Sequence, residues 1–469
     1  MFRITNNTLV GSFCFFNLVL AGCQSGTGSK PMNTDSAQVK LVTLDPGHFH
    51  AALVQKTMLS GIDSTVQVYA PDGPELKSHL DLVNGYNSRT ADPTRWREEV
   101  YTGSDFLDKM LTQKDGNVVV MSGNNKRKTE YISRTVNAGK NVLGDKPMAI
   151  DTANFRLLAE TFRKADQKKV LLYDIMTERS EITNILQREL SRIPALFGTL
   201  EKGTLESPAV EMESVHHFFK SVSGNALKRP AWFFDAEQQG NAIVDVGTHL
   251  ADLVQWECFP DSVIDYEKDI RILRAKRWPA PLTLSQFRGI TKLDSFPDYL
   301  RKYVSRDSIL NTDANGSVDY TIKGIHIRIT PLWNYQAPGT SGDTHYSILK
   351  GTKANLVIRQ GKEENYQPTV YIEPAKTAGK TFSTDVQQAI KTISETYPGI
   401  TVEKSPRGFK LLIPDQFKIG HEAHFAQVME RYLAYLKQGK LPGWEVPGML
   451  AKYYVTTYGS AAARQQQKQ

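Results

Sequence analysis

The chain has 469 residues, enough for about two to three domains at roughly 150 residues each. With 40% hydrophobic and 23% charged residues it is neither a disordered nor a fibrous chain. The net charge of +7 is spread along the sequence, and its only dense basic run is the short "NNKRK" at 124–128, so it argues for a solvated surface and against a nucleic-acid partner.

The first 22 residues read as a targeting segment: Arg3, then the apolar "LVGSFCFFNLVLAG", then "LAGC" ending at Cys23. Small residues before a cysteine resemble a bacterial lipobox, so cleavage before Cys23 and lipidation there are expected. The alternative is an ordinary signal peptide with a coincidental cysteine. The apolar stretch falls short of the about 20 residues that a membrane-spanning helix needs. Residues 23–38 are polar and read as a flexible tether. The expected location is the cell envelope, lipid-anchored and facing the periplasm or exterior. Cys14 leaves with the signal and Cys23 takes the lipid, which leaves Cys258 alone and excludes a disulfide framework.

Residues 39–175 alternate strand-like and helix-like segments. "VKLVTL" (39–44) is a strand, and Phe49, Ala52 and Leu53 then share a helical face. "STVQVYAPD" (64–72) and the wholly apolar "GNVVVMSG" (116–123) are further strands, the second of the kind covered on both faces. "TEYISRTVNAGKNVLGDKP" (129–147) reads as helix, Gly139 stop, strand and loop. Phe155, Leu158, Ala159 and Phe162 line one side of a helix that precedes the strand "VLLYDIM" (170–176). The alternation predicts an α/β, Rossmann-like, doubly wound parallel sheet.

Residues 176–469 have a different texture. "VEMESVHHFF", "DYTIKGIHIRIT" and "ANLVIRQ" look like longer strands, with helices at 178–192 and 245–256. An α+β domain with a largely antiparallel sheet is expected. The helix at 421–439 puts Phe425, Val428, Met429, Tyr432 and Leu436 on one side.

Three stretches carry the chemistry. Where a dinucleotide fingerprint has Gly-x-Gly-x-x-Gly, the first loop reads Asp45-Pro46-Gly47-His48-Phe49-His50. The second is "AGKNVLGDKPMAI" (138–150), and the third "GNAIVDVGTHLADLVQW" (240–256), with Asp245, Gly247, His249 and Asp252 in the order D-x-G-x-H-x-x-D. In these motifs the chain resembles the Gfo/Idh/MocA family of nicotinamide-dependent sugar oxidoreductases, with Asp145 for the glutamate of E-K-P and Asn241 for a glycine. "RPAWFFD" (229–235) and "ILKGTKANLVI" (348–358) are similar to the family too, and the likeness covers most of 39–440. The altered first loop points to a divergent branch.

The resemblance implies Lys146, Asp245 and His249 as catalytic residues, and Asp45, Gly47, His48, Asp72, Asn124 and Lys146 as cofactor contacts. Sugar oxidation needs a base for the hydroxyl proton while hydride leaves the same carbon. Lys146 suits proton donation or charge stabilisation, His249 suits proton shuttling, and Asp245 suits their orientation. An acidic Asp72 at the end of the second strand favours NAD over NADP without excluding the latter. Each residue also has a plain reading: Asp145-Lys146-Pro147 as a surface turn, Asp245 as a helix cap, His249 as a core histidine, and Asp72 as a turn residue.

Asp45-Pro46 matches a helix start, aspartate at the cap and proline at the first helical position. Its carboxylate would compete with a pyrophosphate for the amides of Gly47 and His48. No metal is expected: "HEAH" lacks the spacing of H-E-x-x-H, and adjacent His216 and His217 on a strand should face opposite ways. The expected function is an exported, lipid-anchored NAD(P)-dependent oxidoreductase acting on a hydroxyl of a sugar or glycoside, its cofactor held tightly, and a homo-oligomer by family likeness. The alternatives are a glycoside hydrolase that oxidises its substrate transiently through bound NAD, and a carbohydrate-binding lipoprotein that has lost its cofactor.

Overall fold

The computed structural model describes residues 39–222, 225–306, 308–339 and 342–466. The expected signal segment 1–22, the lipid-bearing Cys23 and the tether 23–38 lie outside them. Among the described residues no helix is long and apolar enough to cross a membrane.

The first half of the fold alternates without exception: β1 (Leu41–Leu44), α1 (His50–Leu53), β2 (Thr65–Tyr69), α2 (Pro74–Ser88), β3 (Arg97–Tyr101), α3 (Phe106–Thr112), β4 (Val118–Met121), α4 (Lys128–Asn137), β5 (Asn141–Asp145), α5 (Thr152–Lys168) and β6 (Leu172–Ile175). The strands form a parallel sheet in the order β3-β2-β1-β4-β5-β6. Every residue of β1, β4 and β6 is buried, as a sheet with helices on both faces requires. α5 begins at Asp151, whose carboxylate accepts the Asn154 amide at 2.7 Å, and it buries Phe155, Leu158, Phe162 and Ala165. The winding reverses between β1 and β4. That leaves a crevice at their C-terminal ends, where ligands bind in sheets of this order.

The second half runs α6 (Ile182–Ser191), β7 (Val210–Phe219), a short ribbon of β8 (Ser221–Val222) and β9 (Asn225–Ala226), α7 (Val246–Cys258), β10 (Ile270–Thr283), α8 (Leu284–Thr291), β11 (Ile309–Ile322), β12 (Ile325–Gln336), β13 (Thr344–Lys350), β14 (Ala354–Arg359), β15 (Thr369–Pro374), α9 (Phe382–Thr396), β16 (Thr401–Ser405), β17 (Gly408–Leu412), α10 (His424–Gln438) and α11 (Glu445–Gln466). Nine strands make one sheet, β10-β11-β12-β7-β13-β14-β15-β17-β16, antiparallel except where β7 and β12 run together. "DYTIKGIHIRIT" is a hairpin rather than one strand. Lys323 and Gly324, at φ 50° and 80°, make the two-residue turn that the strand twist favours.

The apolar face of α10 packs where its spacing pointed, with Phe425, Val428, Met429 and Tyr432 buried. Its partner is the core of the parallel sheet: the Tyr432 hydroxyl donates to the Val142 carbonyl at 3.2 Å. α11 lies in both cores, through Met449 and Tyr453 on one side and Ala451, Val455 and Ala463 on the other. The change of texture near residue 175 therefore separates the two sheets, while the C-terminal helices, expected within the second domain, also complete the core of the first.

Candidate active site

The loops after β1 and β5 meet the start of α7 and the end of β7 around a cavity of about 680 Å³. Eight of the ten histidines line it, all but His79 and His326, so imidazole rather than carboxylate dominates its surface. Of the candidates, it gathers His48, Lys146, Asp245 and His249.

Lys146 follows β5 directly, and its Nζ donates to Asp245 Oδ1 at 2.7 Å with both side chains buried. Burial would raise the Asp245 carboxyl, but the ammonium of Lys146 outweighs it and keeps the group below the usual carboxylate range. Asp245 occupies the cap position of α7, yet its side chain caps no amide and serves Lys146 instead. Asn241 steadies the preceding turn: its Oδ1 accepts the amides of Ile243 and Val244, and its Nδ2 donates to Ser460 Oγ at 2.8 Å. His249 follows one turn along α7. Burial, and then the charge of Lys146, hold it well below the usual histidine range, so it is neutral at pH 7. Asp252 faces away from the cavity and joins Arg179 and Lys452.

The first loop departs from the expected cap. Asp45 lies at φ 47°, and the helix starts only at His50, with Phe49 in the cap position and no side-chain cap. The amides of Gly47 and His48 both donate to the Ser122 carbonyl at 3.1 Å, drawing the loop onto the end of β4. Burial raises the Asp45 carboxyl, which is hydrogen-bonded by Tyr131. The approach is close: a Cβ on Gly123 would lie 2.1 Å from the Asp45 carbonyl oxygen, and one on Gly47 would lie 3.2 Å from Trp232 Cζ2. Asp45, Gly47, Asp72 and Asn124 do not line the cavity. Asp72 is exposed just beyond β2, and the Asn124 amide donates to Gln238 Oε1 at 2.8 Å.

Several cavity residues escaped the sequence reading. Glu178 is pushed up to about 7 by burial and by the charge of Glu181. Arg229 is brought down to about 10 by burial. His216 and His217, expected on opposite faces, both reach Asp343, at 3.4 and 3.1 Å, because the loop before β13 folds over the end of β7. Burial opposes ionisation of Asp343, but Lys220 and His216 hold it well below the usual range. His48 and His50 both turn toward Asp145. Only the surplus of histidine near glycine-containing loops could have signalled any of these.

The family model described as "Putative oxidoreductase C terminal domain" matches residues 186–464. A "putative oxidoreductase" from Parabacteroides merdae ATCC 43184 is 52% identical, covers 92% of this chain and 98% of its own, and superposes with a TM-score of 0.89. An oxidoreductase domain protein from Kribbella flavida is similar in fold, at 14% identity, 92% and 98% coverage and a TM-score of 0.59. So is a levoglucosan dehydrogenase in complex with NADH and L-sorbose, at 12% identity, the same 92% and 98% coverage and a TM-score of 0.57. No curated protein matches the chain.

Proposed function

The chain belongs to the Gfo/Idh/MocA-type oxidoreductases, and from that membership we propose that it oxidises or reduces a hydroxyl-bearing carbon of a sugar or glycoside, with a nicotinamide dinucleotide as hydride carrier. The observation that carries the reading is the buried Lys146–Asp245 pair, with His249 one turn away on the wall of the same polar cavity. Bound NAD(H) would supply the hydride acceptor or donor.

The residues fit such a group in two parts. Lys146 and the crevice between β1 and β4 suit the nicotinamide end, and the exposed carboxylate of Asp72 suits ribose hydroxyls, favouring NAD over NADP. The phosphate end differs from the ordinary pattern. The loop amides already bond to Ser122, and α1 is a single turn with little dipole to offer. Two cationic side chains after β4 would compensate, although Arg127 is also paired with Glu130 at 2.8 Å. Lys126 is exposed, and Arg127 lies near enough to Asp45 to influence its ionisation. Phosphates held by these side chains would leave the loop in place.

Lys146, pinned by Asp245, presents a fixed positive charge where negative charge develops on the substrate oxygen. His249, neutral at pH 7, accepts the hydroxyl proton in oxidation, and in reduction it relays to the substrate oxygen the proton that Glu178 holds. Glu178 titrates near 7 within the cavity and can hold a second proton. Reduction consumes a proton, so its kcat/KM is expected to fall as pH rises through about 7, with the limb absent in Glu178→Gln. A folded pKa above the unfolded value of about 4.3 means that ionised Glu178 costs stability as pH rises through that window, and Glu178→Gln should relieve the cost at alkaline pH.

The reading is tested by following nicotinamide absorbance with a panel of sugars, glycosides and their keto forms. Substrate-dependent oxidation or reduction of the nucleotide is expected. Glycoside cleavage with no net redox change would favour a hydrolase, and no reaction with any compound would contradict the proposal.

A further inference from the structure

The unusual first loop and the end of β5 bring together three groups that the proton-transfer scheme does not use. His50 Nδ1 lies 3.1 Å from both oxygens of Asp145, and His48 Nδ1 lies 3.4 Å from Asp145 Oδ2. The three ligand atoms all fall within 4.8 Å of one another. A tetrahedral zinc ion with bonds of about 2.0–2.1 Å holds its ligand atoms about 3.3 Å apart, and the two histidine–carboxylate separations of 3.1 and 3.4 Å are close to that.

The cluster is built rather than incidental. Asp145 is 1% exposed, and its carboxylate is oriented by Ser122 Oγ, which donates to Oδ2 at 2.7 Å. Outer partners of this kind set the orientation of metal-binding carboxylates. The two imidazoles stand edge to face at 4.1 Å, so they approach one carboxylate from perpendicular planes. Phe49 packs on His48 and Phe425 on His50, giving an apolar surround. His48 Nδ1 is buried with no hydrogen-bond partner, although it stands 3.4 Å from an acceptor.

We propose that His48, His50 and Asp145 form a binding site for a divalent transition-metal ion, zinc foremost, with its remaining coordination positions turned to the cavity. Two histidines and one carboxylate with open positions are the donor set of catalytic zinc sites and of non-haem iron(II) sites. His48 and His50 line the same cavity as Lys146 and Asp245, so the open positions would suit a hydroxyl or carbonyl oxygen of the substrate. The fingerprint positions are therefore not simply lost: histidines stand beside Gly47 and at the place of the third glycine, where both reach Asp145. The inference goes beyond the nicotinamide reading and does not depend on it, because metal binding is measured without turnover.

The test is calorimetric titration of the chelator-stripped full chain with zinc chloride, repeated with iron(II) and manganese(II), together with zinc anomalous diffraction from crystals of the unaltered protein. One zinc per chain is expected, with density between His48, His50 and Asp145. Asp145→Asn and His48→Gln should weaken binding by more than the 10–100-fold typical of an outer-shell change. The rival cluster of His216, His217 and Asp343 supplies the control, and Asp343→Asn should leave affinity unchanged. Absence of zinc binding, density at the rival cluster, or binding abolished only by Asp343→Asn would overturn the proposal. The diffraction arm decides the matter even if a variant fails to fold.

Discussion

Replacing Lys146 with methionine is expected to lower kcat by about 10²–10⁴-fold, the range for losing a positioned proton-transfer or charge-stabilising group. The side chain is buried and held 2.7 Å from Asp245, so the substitution also strands a buried carboxylate. Breaking a buried pair from one side costs about 3–5 kcal/mol, and the lost activity could then reflect lost fold. The double substitution Lys146→Met with Asp245→Asn separates the two effects, since it removes both charges. Its denaturation midpoint should recover most of the loss while kcat stays low. Turnover at the original rate in a folded Lys146→Met protein would remove this residue from the mechanism.

Lys452→Met is expected to be the most destabilising single change outside the cavity, at about 3–5 kcal/mol by urea denaturation. Lys452 is 0% exposed and donates to Asp252 Oδ1 at 2.7 Å and to Asp174 Oδ2 at 2.8 Å. Arg179 meets Asp252 through two bonds of 2.6 Å and reaches Glu445 at 3.0 Å. The network ties β6, α7 and α11 together, and thus both cores, so its failure is felt globally. Burial opposes ionisation of Asp252, but Arg179 and Lys452 hold its carboxyl below the usual range. The resulting stability is fully present above the unfolded value of about 3.9 and is lost as pH falls through the lower folded value. Asp174, shifted upward by burial, contributes in the opposite sense. Acid sensitivity below about pH 4 should therefore shrink in Lys452→Met, together with overall stability.

Much of the fold was legible because burial writes itself into apolar runs. "VVVM", short, β-branched and bounded by glycines, reads as a strand covered on both faces, and the spacing of Phe425, Val428, Met429 and Tyr432 marks the buried side of α10. β3 was invisible for the same reason. "REEVY" lies at the sheet edge, mostly exposed, and carries no apolar run. Local motifs singled out Lys146, Asp245 and His249 as candidates, and the structure brings Lys146 and Asp245 into contact.

The first loop was misread at Asp45-Pro46, where a local capping pattern lost to a tertiary contact: the Ser122 carbonyl takes the amides that a cap would have used. The pairing of His48 and His50 with Asp145 spans 95 residues between His50 and Asp145, so no short spacing rule could reveal it. Nor could sequence show that burial would bring Glu178 to about 7. Asp252 matched a family motif and proved to be part of the ion network that joins the two cores.

A Rossmann-type crevice with a rebuilt phosphate end is expected to take a nicotinamide dinucleotide beside Lys146. Calorimetric titration of the full chain with NADH tests it most directly. One site per chain is expected, binding NADH more tightly than NADPH and weakened when Lys126 and Arg127 are both replaced by alanine. An absence of binding heat with NAD(H) and with NADP(H) would contradict it.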